Sequence, residues 1–376
     1  MTKPAVIFAM LQTGAEANGG IESISQVIRR LRDHRPVVLT NLANRQFEEL
    51  QRLGIEAHVV PETASLGLRS NLGGYIATHR RYHRALKRLM RDTGARIVHA
   101  NDPLAFQLSL SAVKTARGAR IALNMRDTID PDRRPPRNRY RFFFGAADHL
   151  FFLSEDMAAR WERIAANARR ACSVTYSIVD RDLFAPSDQE EESGRPIVLL
   201  SGIFRPKKGQ LDFLRHVAPA LAAGGAEIWF AGDFDPARDP YSAACAAAAE
   251  PLGDAVRFLG YRRDLPKLLN KARVVAIPSR YEGLMRVMIE AMSCARPVVS
   301  FDVCSAREAL EEKSAAAGTV VPLGDFDGMA RALLHYCSDA ESSARAGRAG
   351  AEAADILFDA GEVVERYERA YRSMAS

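Results

Sequence analysis

Short apolar runs alternating with longer amphipathic stretches dominate this chain and leave few folds open to it. From Ala5 the order is AVIFAML, a stretch from Ile21 to Leu31, PVVLT, Phe47 to Leu53, EAHVV, Tyr75 to Met90 and ARIVHA, with further runs at RIALNM and HLFFLS. Such apolar runs are strands buried on both faces, and strands separated by helix-length stretches pair in parallel with helices covering the sheet. The alternation stops at PSDQEEESGRP, residues 186–196, which holds no aliphatic side chain. It restarts with PIVLLSG, a helix from Gly209 to Ala223, AEIWFAG, VRFLG, ARVVAIPS, a helix near Leu284 to Cys294, and RPVVSF. The pattern predicts two doubly wound, Rossmann-like α/β domains, residues 1–185 and 197–358, joined by a linker over 186–196. A C-terminal helix over 359–376 is expected to be able to pack back on the first domain. Ligands of such sheets bind beyond the carboxyl ends of the strands, so the expected site is a cleft faced by both domains.

Composition narrows the function classes. The chain of 376 residues, 47% hydrophobic, is long enough for two full cores, which excludes disorder and disulfide-stapled mini-folds. Five scattered cysteines without a C-x-x-C pair suggest neither a structural zinc site nor a disulfide framework and fit a reducing, cytoplasmic setting. No run approaches the roughly 18 to 20 apolar residues of a spanning helix. Ala5 to Leu11 has the length of a signal-peptide core but leads into a glycine loop, as a buried first strand does. The net charge of +6 is unevenly placed: residues 1–185 carry 29 Lys and Arg against 18 Asp and Glu, the remainder 23 against 28. One half is thus suited to a polyanion or anionic surface.

Three segments hold candidate chemistry. Asn18-Gly19-Gly20-Ile21-Glu22 opens a helix after the first strand; its glycines either let backbone N–H groups approach an anion or serve the turn alone. Ser201-Gly202 runs into Phe204-Arg205-Pro206-Lys207-Lys208-Gly209, cations at a strand's carboxyl end that form either a diphosphate clamp or a solvated basic loop. Pro278-Ser279-Arg280-Tyr281-Glu282-Gly283-Leu284 leads into a helix bearing Glu290 among Ile289, Ala291 and Met292. A glutamate in such apolar company needs a partner, and carboxylates accept well from vicinal sugar hydroxyls.

The order KKG, GYRRDLPKLL, ARVVAIPSRYEGLMRVMIEAM and RPVVS resembles the nucleotide-sugar domain of the retaining, family 4-type glycosyltransferases of GT-B fold, whose hallmark is two glutamates separated by seven residues. The likeness covers most of residues 197–334 and is looser before them, resting on Gly19-Gly20-Ile21-Glu22, Val98-His99-Ala100 and the stretch from Val174 to Phe184. It implies that Glu290 binds the donor's ribose, that Glu282 and the N–H groups of Gly283, Leu284 and Met285 hold the transferred sugar, and that Arg205 and Lys208, beside Gly202, hold the diphosphate. It further implies that Gly19 and Gly20 close over the donor, that Tyr261 and Arg262 meet the base, and that His99, Arg126 and Asp127 lie on the acceptor side. Glu282, Arg205 and Lys208 would carry catalysis by electrostatic stabilisation of the departing diphosphate. No metal is expected in the absence of an Asp-x-Asp motif, and the nucleotide sugar is a substrate, not a cofactor. Departures from the family pattern touch the site: Ile203 replaces an arginine, Leu284-Met285 a Phe-Gly, Ala295 a glycine, and Arg126-Asp127 stands where a histidine often does.

No acidic residue occurs between Glu62 and Asp92, while Arg69, Arg80, Arg81, Arg84, Lys87, Arg88 and Arg91 accumulate; Arg133, Arg134, Arg137, Arg139 and Arg141 run into aromatics. Helical spacing puts Tyr75, Tyr82, Leu86 and Leu89 on one side, so this is a core-packed helix with either a solvated basic face or one that meets anionic lipid or glycan. No nucleic-acid motif accompanies the charge. The expected activity is sugar transfer to a cell-surface glycan or glycolipid, peripheral to the inner membrane face. A nucleotide-sugar epimerase, a sugar phosphorylase and a non-catalytic glycan-binding protein are the alternatives.

Overall fold

The computed structural model describes residues 3–11, 19–60, 72–126, 137–164, 171–187 and 194–376. It divides into two compact units: the described residues up to Ile178 with Ala360–Ser376, and Val179–Asp359. The fold class matches the expectation, since each unit is a parallel sheet with helices between successive strands.

Unit 1 contains β1 (Ala5–Met10), β2 (Arg35–Thr40), β3 (Glu56–Val59), β4 (Ile97–Ala100), β5 (Arg120–Met125), β6 (His149–Phe152) and β7 (Ala171–Val174), in spatial order β3-β2-β1-β4-β5-β6-β7. Unit 2 contains β8 (Ile197–Ser201), β9 (Glu227–Ala231), β10 (Val256–Phe258), β11 (Val274–Ile277), β12 (Val298–Phe301) and β13 (Gly318–Val321), in order β10-β9-β8-β11-β12-β13. Chain direction across each sheet reverses beside the first strand, between β1 and β4 and between β8 and β11. Those two gaps are the switch points where ligands of doubly wound sheets bind.

The division between the units does not fall in the polar stretch 186–196. Ser187 N and Asn270 Oδ1 are 3.0 Å apart and Asn270 Nδ2 donates to Ala185 O at 2.9 Å, while Arg195 Nε donates to Gly225 O at 3.1 Å. Both flanks of the stretch are therefore tied to unit 2, residues 188–193 lying outside the described residues, and the division falls after Ile178 and again before Ala360. The helix expected over Gly209 to Ala223 is two, Gln210–His216 and Ala218–Ala223. Pro219 has no N–H to give the preceding turn, which stops the first helix.

The C-terminal helix, Ala360–Ala375, is part of unit 1's core. Glu368, only 1% exposed, accepts from Arg32 N at 2.7 Å, Asp33 N at 2.9 Å and the buried His34 ring. Tyr367 OH lies 3.1 Å from Thr175 Oγ1 and 3.3 Å from Asn124 Nδ2. Burial pushes Glu368 up, yet the His34 bond and the two backbone N–H groups outweigh it and hold the carboxyl below its ordinary range. Among the described residues no helix is long and apolar enough to cross a membrane.

Candidate functional site

β8 ends at Ser201, and the chain passes Gly202 and Phe204 into the short turn Pro206–Lys208 before the Gln210–His216 helix. Gly209 makes this turn possible. Its φ is +74°, and a Cβ there would stand 2.0 Å from the Pro278 carbonyl oxygen at the end of β11, so only glycine fits. Arg280 N donates to Lys207 O at 2.8 Å, closing the loops after β8 and β11 onto each other across the switch point. The loop after β9 joins them, because Gly232 leaves only 2.0 Å between its would-be Cβ and Gly202 O and donates its N–H to Gly260 O at 2.9 Å.

Lys208 and Glu282 meet in this frame. The Lys208 stem runs over Gly202, and its Nζ lies 2.5 Å from Glu282 Oε1, with Glu282 only 7% exposed. A narrow pocket beneath them is lined by Ser201, Gly202, Lys208, Ser279, Met285 and Val287. Arg205 is exposed on the same turn, its Nη1 donating to Phe204 O at 3.1 Å. The following helix is Arg286–Ser293, two residues shorter at its start than expected; Met285 caps it and Gly283 and Leu284 lead in. Glu290, 5% exposed, has the partner its apolar neighbours demand: Arg286 Nη2 at 2.8 Å.

Arg286 and Ser305 were missed in the sequence. An arginine at a helix's first position opposes the macrodipole, and Arg followed by Glu four residues later is the weaker order for an ion pair, so Arg286 does not serve local helix stability. That charge conflict was the legible signal. Ser305 sits at φ +66° and its Oγ donates to Gly283 O at 2.6 Å, fixing the Gly283–Leu284 peptide; nothing in its own sequence announces this.

The other expected residues are dispersed. Tyr261 is 70% exposed after β10, and Arg262 grips Asp264 with Nε and Nη2 at 2.8 and 2.6 Å. That fork pulls the Asp264 carboxyl down to about 2. In unit 1, Gly19 and Gly20 head the helix Gly19–Ile28, and Arg126 Nη1 donates to Asn101 Oδ1 at 3.2 Å beyond the carboxyl ends of β4 and β5. Asp127, Arg69, Arg133 and Arg134 lie outside the described residues. His99 is a correction. It is fully buried among Phe8, Phe151, Tyr367 and Tyr371, with Tyr371 OH 3.0 Å from Nδ1, so its side chain faces the core and not an acceptor. Burial first, then the charges of Arg126 and His149, push its imidazole down to about 3. In the Leu72–Thr93 helix, Tyr82, Leu86 and Leu89 are buried and the arginines and Lys87 face solvent.

Residues 195–339 match the family described as Glycosyl transferases group 1, and residues 18–177 match the Glycosyl transferase 4-like domain. The chain belongs to the group 1 glycosyltransferases. Among relatives of this family it is 27% identical to a phosphatidyl-myo-inositol mannosyltransferase of Mycolicibacterium smegmatis over 68% of this chain and 66% of that one. It is 32% identical to an alpha-D-kanosaminyltransferase of Streptomyces kanamyceticus over 39% of this chain, spanning 38% of that relative's length. In structure it is similar to Anabaena HepE in complex with UDP and glucose, with a TM-score of 0.81, 20% identity, and 98% and 99% of the two chains covered. Sucrose-phosphate synthase from Thermosynechococcus elongatus gives a TM-score of 0.79 at 17% identity, covering 99% of each chain. The fold is that of the GT-B glycosyltransferases.

Proposed function

We propose that the protein transfers a sugar from a nucleotide-sugar donor to a glycan or glycolipid acceptor, with retention at the anomeric carbon and without a metal ion. The observation that carries this reading is the meeting of Lys208 with buried Glu282 at the β8/β11 switch point, just ahead of the helix Arg286–Ser293 that carries buried Glu290. Lys208, now paired with Glu282, exchanges that carboxylate for the donor's diphosphate, joined by exposed Arg205. Charge-assisted bonds to phosphate oxygens replace the ion pair and strengthen as the diphosphate leaves with growing negative charge. Glu282, released from Lys208, accepts from hydroxyls of the transferred sugar, and Glu290, oriented by Arg286, accepts from the ribose. The relatives named for mannosyl and kanosaminyl transfer, and the structural likeness to a protein holding UDP and glucose, support the donor class.

A thermal-shift series with UDP, GDP, ADP and their sugars, each with EDTA or with magnesium, tests this. A ligand bound only by the native state adds RT ln(1 + [L]/Kd), about 2.7 kcal/mol at a hundredfold excess over Kd, so one nucleotide should stand out in EDTA. If none does, the donor site is misplaced. Activity lost in EDTA and restored by magnesium would overturn the metal-free step, and turnover of donor without any acceptor would favour epimerase or hydrolase chemistry.

A further inference from the structure

Unit 1 holds an open pocket of about 860 Å3 that the proposed transfer does not use. It lies between the last turns of the Leu72–Thr93 helix and the two turns leading into β4 and β5, around Gly94–Arg96 and Thr115–Ala119. This is the amino-end rim of the sheet, opposite the rim where Asn101 and Arg126 follow those strands. Arg84, Lys87, Arg88, Arg91, Arg96 and Arg117 line it, and no carboxylate does. Arg91 has neighbouring Asp92 at 3.3 Å; among the described residues none of the other five forms an ion pair. A cation or two in a last helical turn complements the macrodipole. Arg96 and Arg117 lie outside that helix, and six cations exceed what its end requires.

The floor is preformed. Thr93 Oγ1 donates to Leu89 O at 2.6 Å and lies 3.3 Å from Ala95 N, Ala119 N donates to Ala116 O at 3.2 Å, and Arg120 N donates to Arg96 O at 2.8 Å. His83 on the wall registers the surrounding charge: burial, then Lys87, His79 and Arg84, hold its imidazole below the ordinary value.

We propose that this pocket is a second anion site, separate from the donor nucleotide, for a ligand carrying two or more phosphate groups. One phosphate would leave most of the six charges unanswered, whereas adjacent phosphates present the several oxygens that arginine forks engage in pairs. The pocket's volume lies within the range of small-molecule sites.

Calorimetric titration with sodium tripolyphosphate tests the site. Saturable one-to-one binding is expected, weakened about a thousandfold or more by Arg84→Ser, Lys87→Ser and Arg117→Ser together, since each charge-assisted bond lost is worth about tenfold or more. The three side chains are exposed, so the variant's melting temperature should match wild type and its affinity for a nucleoside diphosphate should stay unchanged. Sedimentation with vesicles containing phosphatidylinositol bisphosphate separates the sources: vesicle binding displaced by tripolyphosphate assigns the phosphates to a lipid headgroup, and tripolyphosphate binding alone assigns them to a soluble anion. Unsaturable titration, equal affinity in the triple variant, or binding of neither probe would overturn the proposal.

Discussion

Glu282 and Glu290 are both buried and both held by a cation, yet their assigned partners on the donor behave differently during reaction. The ribose does not react, so Glu290→Ala should raise donor KM and weaken the bare nucleoside diphosphate with little change in kcat. The sugar changes shape and charge in the transition state, so Glu282→Ala should depress kcat and leave nucleotide affinity near wild type. Calorimetry beside steady-state kinetics reads this crossed pattern; equal loss of nucleotide affinity in both variants would contradict it. Arg286 enters as a positioning residue. Arg286→Leu removes the 2.8 Å partner of Glu290 and should cost roughly 1 to 3 kcal/mol of nucleotide affinity, with Arg286→Lys restoring part of it. A purely structural arginine would instead lower the melting temperature with nucleotide affinity unmoved.

At the scale of elements, the helix Arg286–Ser293 ends in a strained way. Ala295 holds φ 54°, a left-handed conformation that costs an L-residue roughly 1 to 2 kcal/mol relative to glycine. Its carbonyl oxygen lies against Gly347 of the Ala340–Leu357 helix, which has no Cβ to obstruct it. Ala295→Gly should keep this packing and raise stability by about 0.5 to 1 kcal/mol after the entropy of a freer unfolded chain is subtracted, read by chemical denaturation. The same scale shows what the sequence could and could not disclose. Central strands such as AVIFAM and IVLLS were legible because burial on both faces leaves an unbroken apolar run. The edge strands β7, ACSV, and β13, GTVV, were not, since Ala-Cys-Ser and Gly-Thr open them with small or polar residues that break the apolar run, whereas the edge strands β3 and β10 were read from EAHVV and VRFLG. The two glutamates were legible by spacing, whereas the Ser305 bond to Gly283 and the Glu368 bonds to the segment Arg32–His34 depend on contacts across 22 and more than 330 positions, which no local pattern records.

At the scale of the whole molecule, two buried histidines of unit 1, His99 and His149, are acid-labile neutral groups. His99 is depressed from 6.5 to about 3, and burial takes His149 to about 4. Both bind protons more readily unfolded, so their contribution is complete above pH 6.5 and is lost as pH falls from there toward 4 and 3. Unfolding free energy should therefore drop by about 2 kcal/mol or more between pH 7 and 5, and His99→Phe, referred to its own value at pH 7, should show a shallower drop. An unchanged slope would place the ring's protonation elsewhere. The C-terminal helix adds a consequence in time. A ribosome that has emitted unit 1's seven strands must still make the roughly 180 residues of unit 2 before Tyr367, Glu368 and Tyr371 emerge. At about 5 to 20 residues per second that wait is roughly ten to forty seconds, during which the aromatic groove around Phe8, His99 and Phe151 stands uncovered. The half made first is thus the half finished last, and nascent chains stalled before residue 360 are where a chaperone has most to hold.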